Sequence, residues 1–361
     1  PDKMSINTKA GFSIVKYKTN GSSSARVPHG LDACKTVIIK KTSTSGAWHL
    51  LTTAIDGSFD DFILDTNGQK SNSSLTATNA TTFPAESGTT NVDMIAYCFD
   101  DSVQSGNFHK FGYYTGNGDN RGEVVSTDFE VAWLLIKRVD GGNSSWAIHD
   151  NVRSRTNPRN KELFANLSDE ENTFTAVDFL TNGFQVITSN AVYNNDGNKY
   201  FYWAIAADPS TAATPTVTKS FDVVKYTGNS SSLDVESDIS PDFIWLKNRD
   251  SSVSHCLFDT IRGAGTANQL FSDASDAMGA STTLTNLVSF NTKGFSLGAT
   301  SGYNVSNNDT DDYIAYLWSA GSHEGNLPTA NTDGGVKSTI SVNAAAGFSI
   351  SRVLCPSSEQ D

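Results

Sequence analysis

The stretch Phe221-Asp222-Val223-Val224-Lys225-Tyr226-Thr227-Gly228-Asn229 reads as a β-strand running into a turn. Phe, Val and Tyr suit a pleated strand, and Gly-Asn suits a reversal. Related text stands earlier as Phe111-Gly112-Tyr113-Tyr114-Thr115-Gly116-Asn117-Gly118. It stands near the start as Gly11-Phe12-Ser13-Ile14-Val15-Lys16-Tyr17-Lys18-Thr19-Asn20-Gly21. A strand and turn recurring about every hundred residues mark the first strand of a repeated unit.

The remainder of each unit follows in the same order. An apolar strand ends in lysine: Thr36-Val37-Ile38-Ile39-Lys40, Trp133-Leu134-Leu135-Ile136-Lys137 and Phe243-Ile244-Trp245-Leu246-Lys247. A polar turn leads to Trp48-His49-Leu50-Leu51, Trp146-Ala147-Ile148-His149 or His255-Cys256-Leu257-Phe258. Units two and three also share Asp150/Arg153 with Asp259/Arg262, where unit one has Thr52 and Ile55. Each unit closes on an aromatic strand: Met94 to Phe99, Tyr200 to Ile205 and Tyr313 to Trp318. Its near-continuous apolar character predicts a central strand, and alternation aims Tyr97, Trp203 and Tyr316 at one face of their sheets.

Short strands and turn signals at this rhythm predict an all-β protein of three tandem antiparallel β-sandwich domains, jelly-roll or lectin-like. The boundaries fall at 1–106, 107–214 and 215–322. Residues 323–361 form a linker and the first strand of a fourth unit, since Ser341 to Ile350 nearly copies Ser5 to Ile14. Linkers are expected near 208–218 and 323–337, rich in Pro, Thr, Ala, Gly and Asn. Ser168-Asp169-Glu170-Glu171 is the one helix-start signal, a capping box that a single turn satisfies.

The chain has 361 residues and a formal net charge of −13. Hydrophobic residues make up 37% and aromatics 10%, enough for packed cores. An acidic surface repels phosphate backbones and anionic membranes, which argues against nucleic-acid or membrane partners. The longest apolar run, Tyr200 to Ala207, is far shorter than the ~20 residues of a membrane helix. The opening Pro1-Asp2-Lys3-Met4 reads as a fragment or a processed product. Cys34, Cys98, Cys256 and Cys355 form no CxxC pair; Cys34 and Cys98 could meet within unit one, but free thiols are the simpler reading.

Several of these stretches carry a family resemblance: Ala10 to Tyr17, Val27-Pro28-His29-Gly30-Leu31, Tyr97-Cys98-Phe99, Lys110 to Gly118 and Trp133 to Arg138. Together they resemble an uncharacterised repeat domain of structural, tail-fibre-like proteins in marine and cyanobacterial tailed phages. The resemblance covers residues 5 to 209, with 221 to 318 as a further copy. It implies a non-enzymatic virion component exposed on the particle, part of a tail fibre or appendage used for assembly or host attachment. Alternatives are a capsid decoration or head-fibre protein and a glycan-degrading tailspike. The implied partners are copies of itself, as a homotrimer, other virion proteins and host surface glycans. It brings no catalytic residues, and the third copy departs from the expected two-unit arrangement.

No catalytic, cofactor or metal residue is assigned from the sequence. Asp150/Arg153 and Asp259/Arg262 read as ion pairs pinning a loop rather than as a ligand site. Asn194-Asn195-Asp196-Gly197-Asn198 and Asn307 to Asp312 offer oxygens for Ca²⁺, but fit no Ca²⁺ spacing and are ordinary turn text. His29, His49, His109, His149, His255 and His323 show no zinc spacing. Glu170/Glu171 as a glycosidase pair is weaker than two solvated acids. Trp48, Trp133, Trp146, Trp203, Trp245 and Trp318 could stack on sugars, but all fall in predicted strands, where core packing is expected.

Overall fold

The computed structural model describes residues 1–361 apart from 23, 87–89, 103–107, 208–219, 280–286, 300–304, 320–328, 332–337, 344–347 and 354–361. For the strands between 329 and 353 it describes the backbone alone. The boundaries expected near 106 and 215, most of both linkers, His323 and Cys355 lie outside the described residues.

The first unit holds β1 (Lys3–Asn7), β2 (Phe12–Asn20), β3 (Arg26–Pro28), β4 (Thr36–Lys41), β5 (His49–Thr52), β6 (Asp60–Ile63), β7 (Ser71–Asn72), β8 (Thr82–Pro84) and β9 (Thr90–Phe99). The second holds β10 (His109–Thr115), β11 (Val124–Ser126), β12 (Val131–Arg138), β13 (Ala147–Asp150), β14 (Arg159–Phe164), β15 (Asn172–Leu180), β16 (Gly183–Val186) and β17 (Lys199–Ala206). The third holds β18 (Phe221–Thr227), β19 (Leu233–Val235), β20 (Phe243–Asn248), β21 (Cys256–Asp259), β22 (Leu270–Phe271), β23 (Leu287–Asn291), β24 (Gly294–Leu297) and β25 (Asp312–Trp318). Last come β26 (Thr329–Asn331), β27 (Ser338–Asn343) and β28 (Phe348–Val353), a small sheet of their own.

The protein is all-β, and among the described residues the strand pairs are antiparallel. The aromatic strand is central in each unit: β9 lies between β2 and β4, β17 between β10 and β12, and β25 between β18 and β20. Tyr97, Trp203 and Tyr316 share one register position. They lie opposite Ile14 and Ile38, Phe111 and Leu135, and Val223 and Trp245 respectively.

The continuous apolar text of these strands follows from burial on both faces. Along β17, Tyr200, Tyr202 and Ala204 pack inside unit two with Val177 and Phe184 from its second layer. The alternate residues Phe201, Trp203 and Ile205 point the other way, into a core containing residues of all three units. There Phe99 meets Trp203 with ring centroids 4.5 Å apart, Tyr97 meets Phe243 at 4.6 Å, and Phe62 meets Phe201 at 5.8 Å. Such ring pairs add about 0.5–1.5 kcal/mol each beyond their buried area. Each unit thus has an inner core and gives its other face to a common one.

The turn after the first strand is built alike in units two and three. Gly116 and Gly228 run so close to the Asn-rich turns that a Cβ would lie 2.3 Å from the Asn195 carbonyl oxygen and 2.0 Å from that of Asn308. Asn194 and Asn307, both buried, accept the amides of Asn117 and Asn229 at 3.0 and 2.9 Å.

Two sequence expectations are corrected. Ser168 to Glu171 forms no helix, because Glu171 is drawn into an ion pair described below. Ser341 to Ile350 is not a lone first strand: β27 pairs with β28, with Ser341 opposite Ile350 and Asn343 opposite Phe348. The register repeats that of β1 on β2, where Ser5 faces Ile14 and Asn7 faces Phe12. The copied text is therefore a strand pair, with β27 standing to β28 as β1 stands to β2.

Candidate functional site

The Asp-Arg pairs singled out from the repeat are joints between units. Asp150 Oδ1 accepts the amides of Val152 and Arg153 at 3.0 and 2.7 Å, and Oδ2 accepts the Arg153 guanidinium. The Tyr316 hydroxyl of unit three then donates to the same Oδ2 at 3.1 Å. In unit three, Asp259 takes the Arg262 amide and guanidinium, and the Tyr97 hydroxyl of unit one donates to its Oδ2 at 2.8 Å. Both tyrosines lie in the shared core, and burial holds their hydroxyls protonated far above the usual range. The loop-pinning reading is therefore incomplete: each pair also receives a neighbouring unit.

Other groups close the same circuit. Trp48 of unit one donates its indole N–H to the Phe271 carbonyl of unit three at 2.8 Å. Trp146 of unit two donates to the Thr66 carbonyl of unit one at 3.1 Å. His255 of unit three accepts the Trp245 indole on Nδ1 at 2.8 Å, so Nε2 carries the proton it donates to the Phe164 carbonyl of unit two at 2.9 Å. One reaches three, three reaches two, and two reaches one: an approximate threefold relation within one chain. The joint facing unit one is the version without an ion pair. Thr36 and Thr52 bond to each other there at 2.9 Å, and Trp203, which has no hydroxyl, gives its indole N–H to His109 Nδ1 at 3.2 Å.

The strand-end lysines serve the joints too. Lys137 donates to the Ser144 carbonyl at 2.6 Å and to Asn67 of unit one at 3.0 Å. Lys247 donates to Val253 at 2.9 Å and to Ser168 of unit two at 3.1 Å. Burial lowers both ammonium groups to a pKa of about 8. Arg249 clasps Glu171 through two bonds of 2.9 and 2.8 Å, tying unit three to unit two. Burial would raise the Glu171 carboxyl, but Arg249 and Arg153 outweigh it and hold the acid ionised.

The other candidates are placed as follows. All six tryptophans are at most 2% exposed, so none presents a face to a sugar. His29 is a loop residue that accepts the Leu31 amide on Nδ1 and faces the Asn79 carbonyl through Nε2. Asn194 and Asn307 spend their amides on turn contacts to Asp119 and Gly298. Among the described residues, no group of three or more His, Cys, Asp or Glu is placed to hold a metal ion. Cys34, Cys98 and Cys256 are buried thiols outside any disulfide. Gly294-Phe295-Ser296-Leu297-Gly298 spells a G-x-S-x-G nucleophile pattern, but Ser296 sits within strand β24 and gives its hydroxyl to Asp234 at 2.5 Å, not to a histidine.

One cavity opens on unit one. It is about 320 Å³, bounded by His49, Asp61 and Glu86 and floored by Ile39, Leu51 and Leu75. His49 Nδ1 bonds both Asp61 oxygens at 3.1 Å, and this partner raises the imidazole pKa. Lys41 pairs with Glu86 at 2.7 Å. A second opening of about 380 Å³ is bounded by Asp222, Glu236, Asp238 and Lys293 of unit three. Sequence reading passed over Asp61 and Glu86. The available signal was their neighbour His49, a polar residue where units two and three have Ala147 and Cys256.

No curated protein and no solved structure matches the chain. A family model does match it twice: the first match spans units one and two, and the second spans unit three with β26–β28. Since the two matches take in nearly all of the sequence, residues 1–209 and 216–359, the chain belongs to the family described as a domain of unknown function, DUF7483.

Proposed function

We propose that this chain is a non-enzymatic structural protein of a tailed-phage virion, a segment of a tail fibre or similar appendage that serves assembly or host-surface attachment. The observation that carries this reading is the circuit of buried joints. Tyr97 on Asp259, Tyr316 on Asp150 and a common aromatic core make a stiff body from otherwise small β-units. Such stiffness suits a load-bearing part. The resemblance of Lys110 to Gly118 and its companion stretches to tail-fibre-like repeats supports the same assignment. Copies of the chain and other virion proteins are the proposed partners. A trimer of chains would have to form outside the shared core, which the three units of one chain already fill.

The hydrolytic alternative is weakened by Glu171, which is ionised and locked to Arg249 rather than raised and free as a general acid must be. The decisive experiment is electron microscopy of the virion with a labelled antibody fragment raised against this chain. Label on the tail appendages supports the proposal. Label on the head moves the protein to capsid decoration, and particles without label overturn the virion assignment.

A further inference from the structure

We propose that the cavity of unit one is a binding site for a small, neutral, polyhydroxylated ligand, a pyranose ring or a short glycan end. The argument begins with the repeat itself. By strand register, Ile39, His49 and Leu51 of unit one correspond to Ile136, Ala147 and His149 of unit two and to Leu246, Cys256 and Phe258 of unit three. Asp61, one residue before the partner of Leu50, corresponds in the same way to Glu162 and Gln269.

Units two and three close this position. In unit two the Tyr193 hydroxyl fills it, donating to Glu162 and meeting His149 Nε2 at 2.9 Å. Ala147 and His149 are wholly buried, and Glu162 nearly so. In unit three, Cys256 and Phe258 are wholly buried, with Gln269 beside the thiol. Unit one differs in its second layer. Three strands form that layer in the sister units, β11-β16-β15 and β19-β24-β23; among the described residues, its counterpart here is the short pair β3–β8. The His49 and Asp61 side chains are consequently 27% and 19% exposed and face an open space of about 320 Å³.

The lining chooses the ligand class. The cavity sits at the lower end of the range for small-molecule sites, about 300–1,000 Å³, which suits one or two sugar rings. Its carboxylates already have close partners: the His49 imidazole bonds Asp61, and the Lys41 ammonium pairs with Glu86. A charged ligand would have to break one of these pairs, whereas hydroxyls can join them as donors to the free lone pairs. Asn72, Ser73 and Ser74 add donors and acceptors along the rim. Ile39, Leu51 and Leu75 offer an apolar floor for the C–H face of a ring. This deepens the attachment reading above by naming a ligand class. It is measured on the isolated chain, so it can fail or succeed whatever the virion label shows.

The test is ligand-observed NMR on the full chain with a panel of neutral methyl pyranosides, alongside acetate, phosphate and methylammonium as charged probes. The expected result is saturation transfer to at least one pyranoside. That binding should weaken at least tenfold in Ser74→Trp, which plugs the rim, and measurably in Asn72→Ala, which adds no bulk. Both variants should melt with the parent. Binding of no pyranoside, binding of charged probes alone, or unchanged binding in a folded Ser74→Trp protein would each overturn the proposal. Should Ser74→Trp fail to fold, unchanged binding in Asn72→Ala overturns it instead.

Discussion

The hydroxyl of Tyr97 donates to Oδ2 of Asp259 at 2.8 Å across 162 residues of sequence, and both groups are buried. The bond joins the central strand of unit one to the loop end of β21 in unit three. Tyr316 repeats it on Asp150 between units three and two at 3.1 Å. Neither contact belongs to a single repeat, so the folded units depend on one another.

Removing one hydroxyl isolates that dependence. Tyr97→Phe keeps the ring against Phe243 and leaves Asp259 with Arg262. It should cost about 1–3 kcal/mol, the range for a buried partner left unsatisfied. Urea unfolding of the single variants and of Tyr97→Phe/Tyr316→Phe measures this. Midpoints equal to the parent would show that the joints carry no stability.

Breaking the ion pair should cost more. Arg153 is buried with Asp150, and although burial opposes its charge, the Asp150 and Glu171 carboxylates hold the guanidinium protonated. Arg153→Met leaves Asp150 charged and buried, at a cost of about 3–5 kcal/mol. Asp150→Asn/Arg153→Met removes both charges and should recover much of the loss. If the double variant is no more stable than the single one, charge burial is not the cause.

Acid should destabilise the fold through its histidines. Burial depresses His109 and His149 to about 3, and holds His255 well below its ordinary value with help from the Lys247 charge. In the unfolded chain each takes a proton near pH 6.5. Between about 3 and 6.5 the unfolded state therefore binds more protons, and stability falls as pH is lowered through that window. The slope is about 1.4 kcal/mol per pH unit for each histidine. Buried acids such as Glu162, raised by burial, oppose this, so the effect is read as a difference. His149→Gln keeps a side-chain donor for Tyr193 and should flatten the decline in urea midpoint between pH 7 and pH 5. An identical decline in the variant would exclude His149 as a contributor.

The strand order and the facing of Tyr97, Trp203 and Tyr316 were legible because alternation and register are local consequences of sequence. The shared core was not. Phe201 and Tyr202 read alike as apolar strand residues, and nothing in their spacing says that one faces its own unit and the other a neighbour. The Asp150/Arg153 repeat was visible, but its third partner was hidden, because Tyr316 lies 166 residues away. Unit one's Thr52 and Ile55 did carry a signal: the same circuit that puts Tyr97 and Tyr316 at Asp-Arg pairs puts Trp203, which lacks a hydroxyl, with the unit that lacks the pair. Glu171 looked like a helix cap because its bidentate partner Arg249 belongs to another repeat.

The most direct measurement is native-state hydrogen exchange on the parent and on Trp203→Ala. Truncating this buried indole should cost about 3–5 kcal/mol. With one shared core, amides of β9, β17 and β25 should open together in the parent. Their protection should then fall by the same free energy in the variant, although only unit two is altered. If exchange accelerated in β10–β17 while β9 and β25 kept their protection, the units would be independent domains and the account of a single closed body would be wrong.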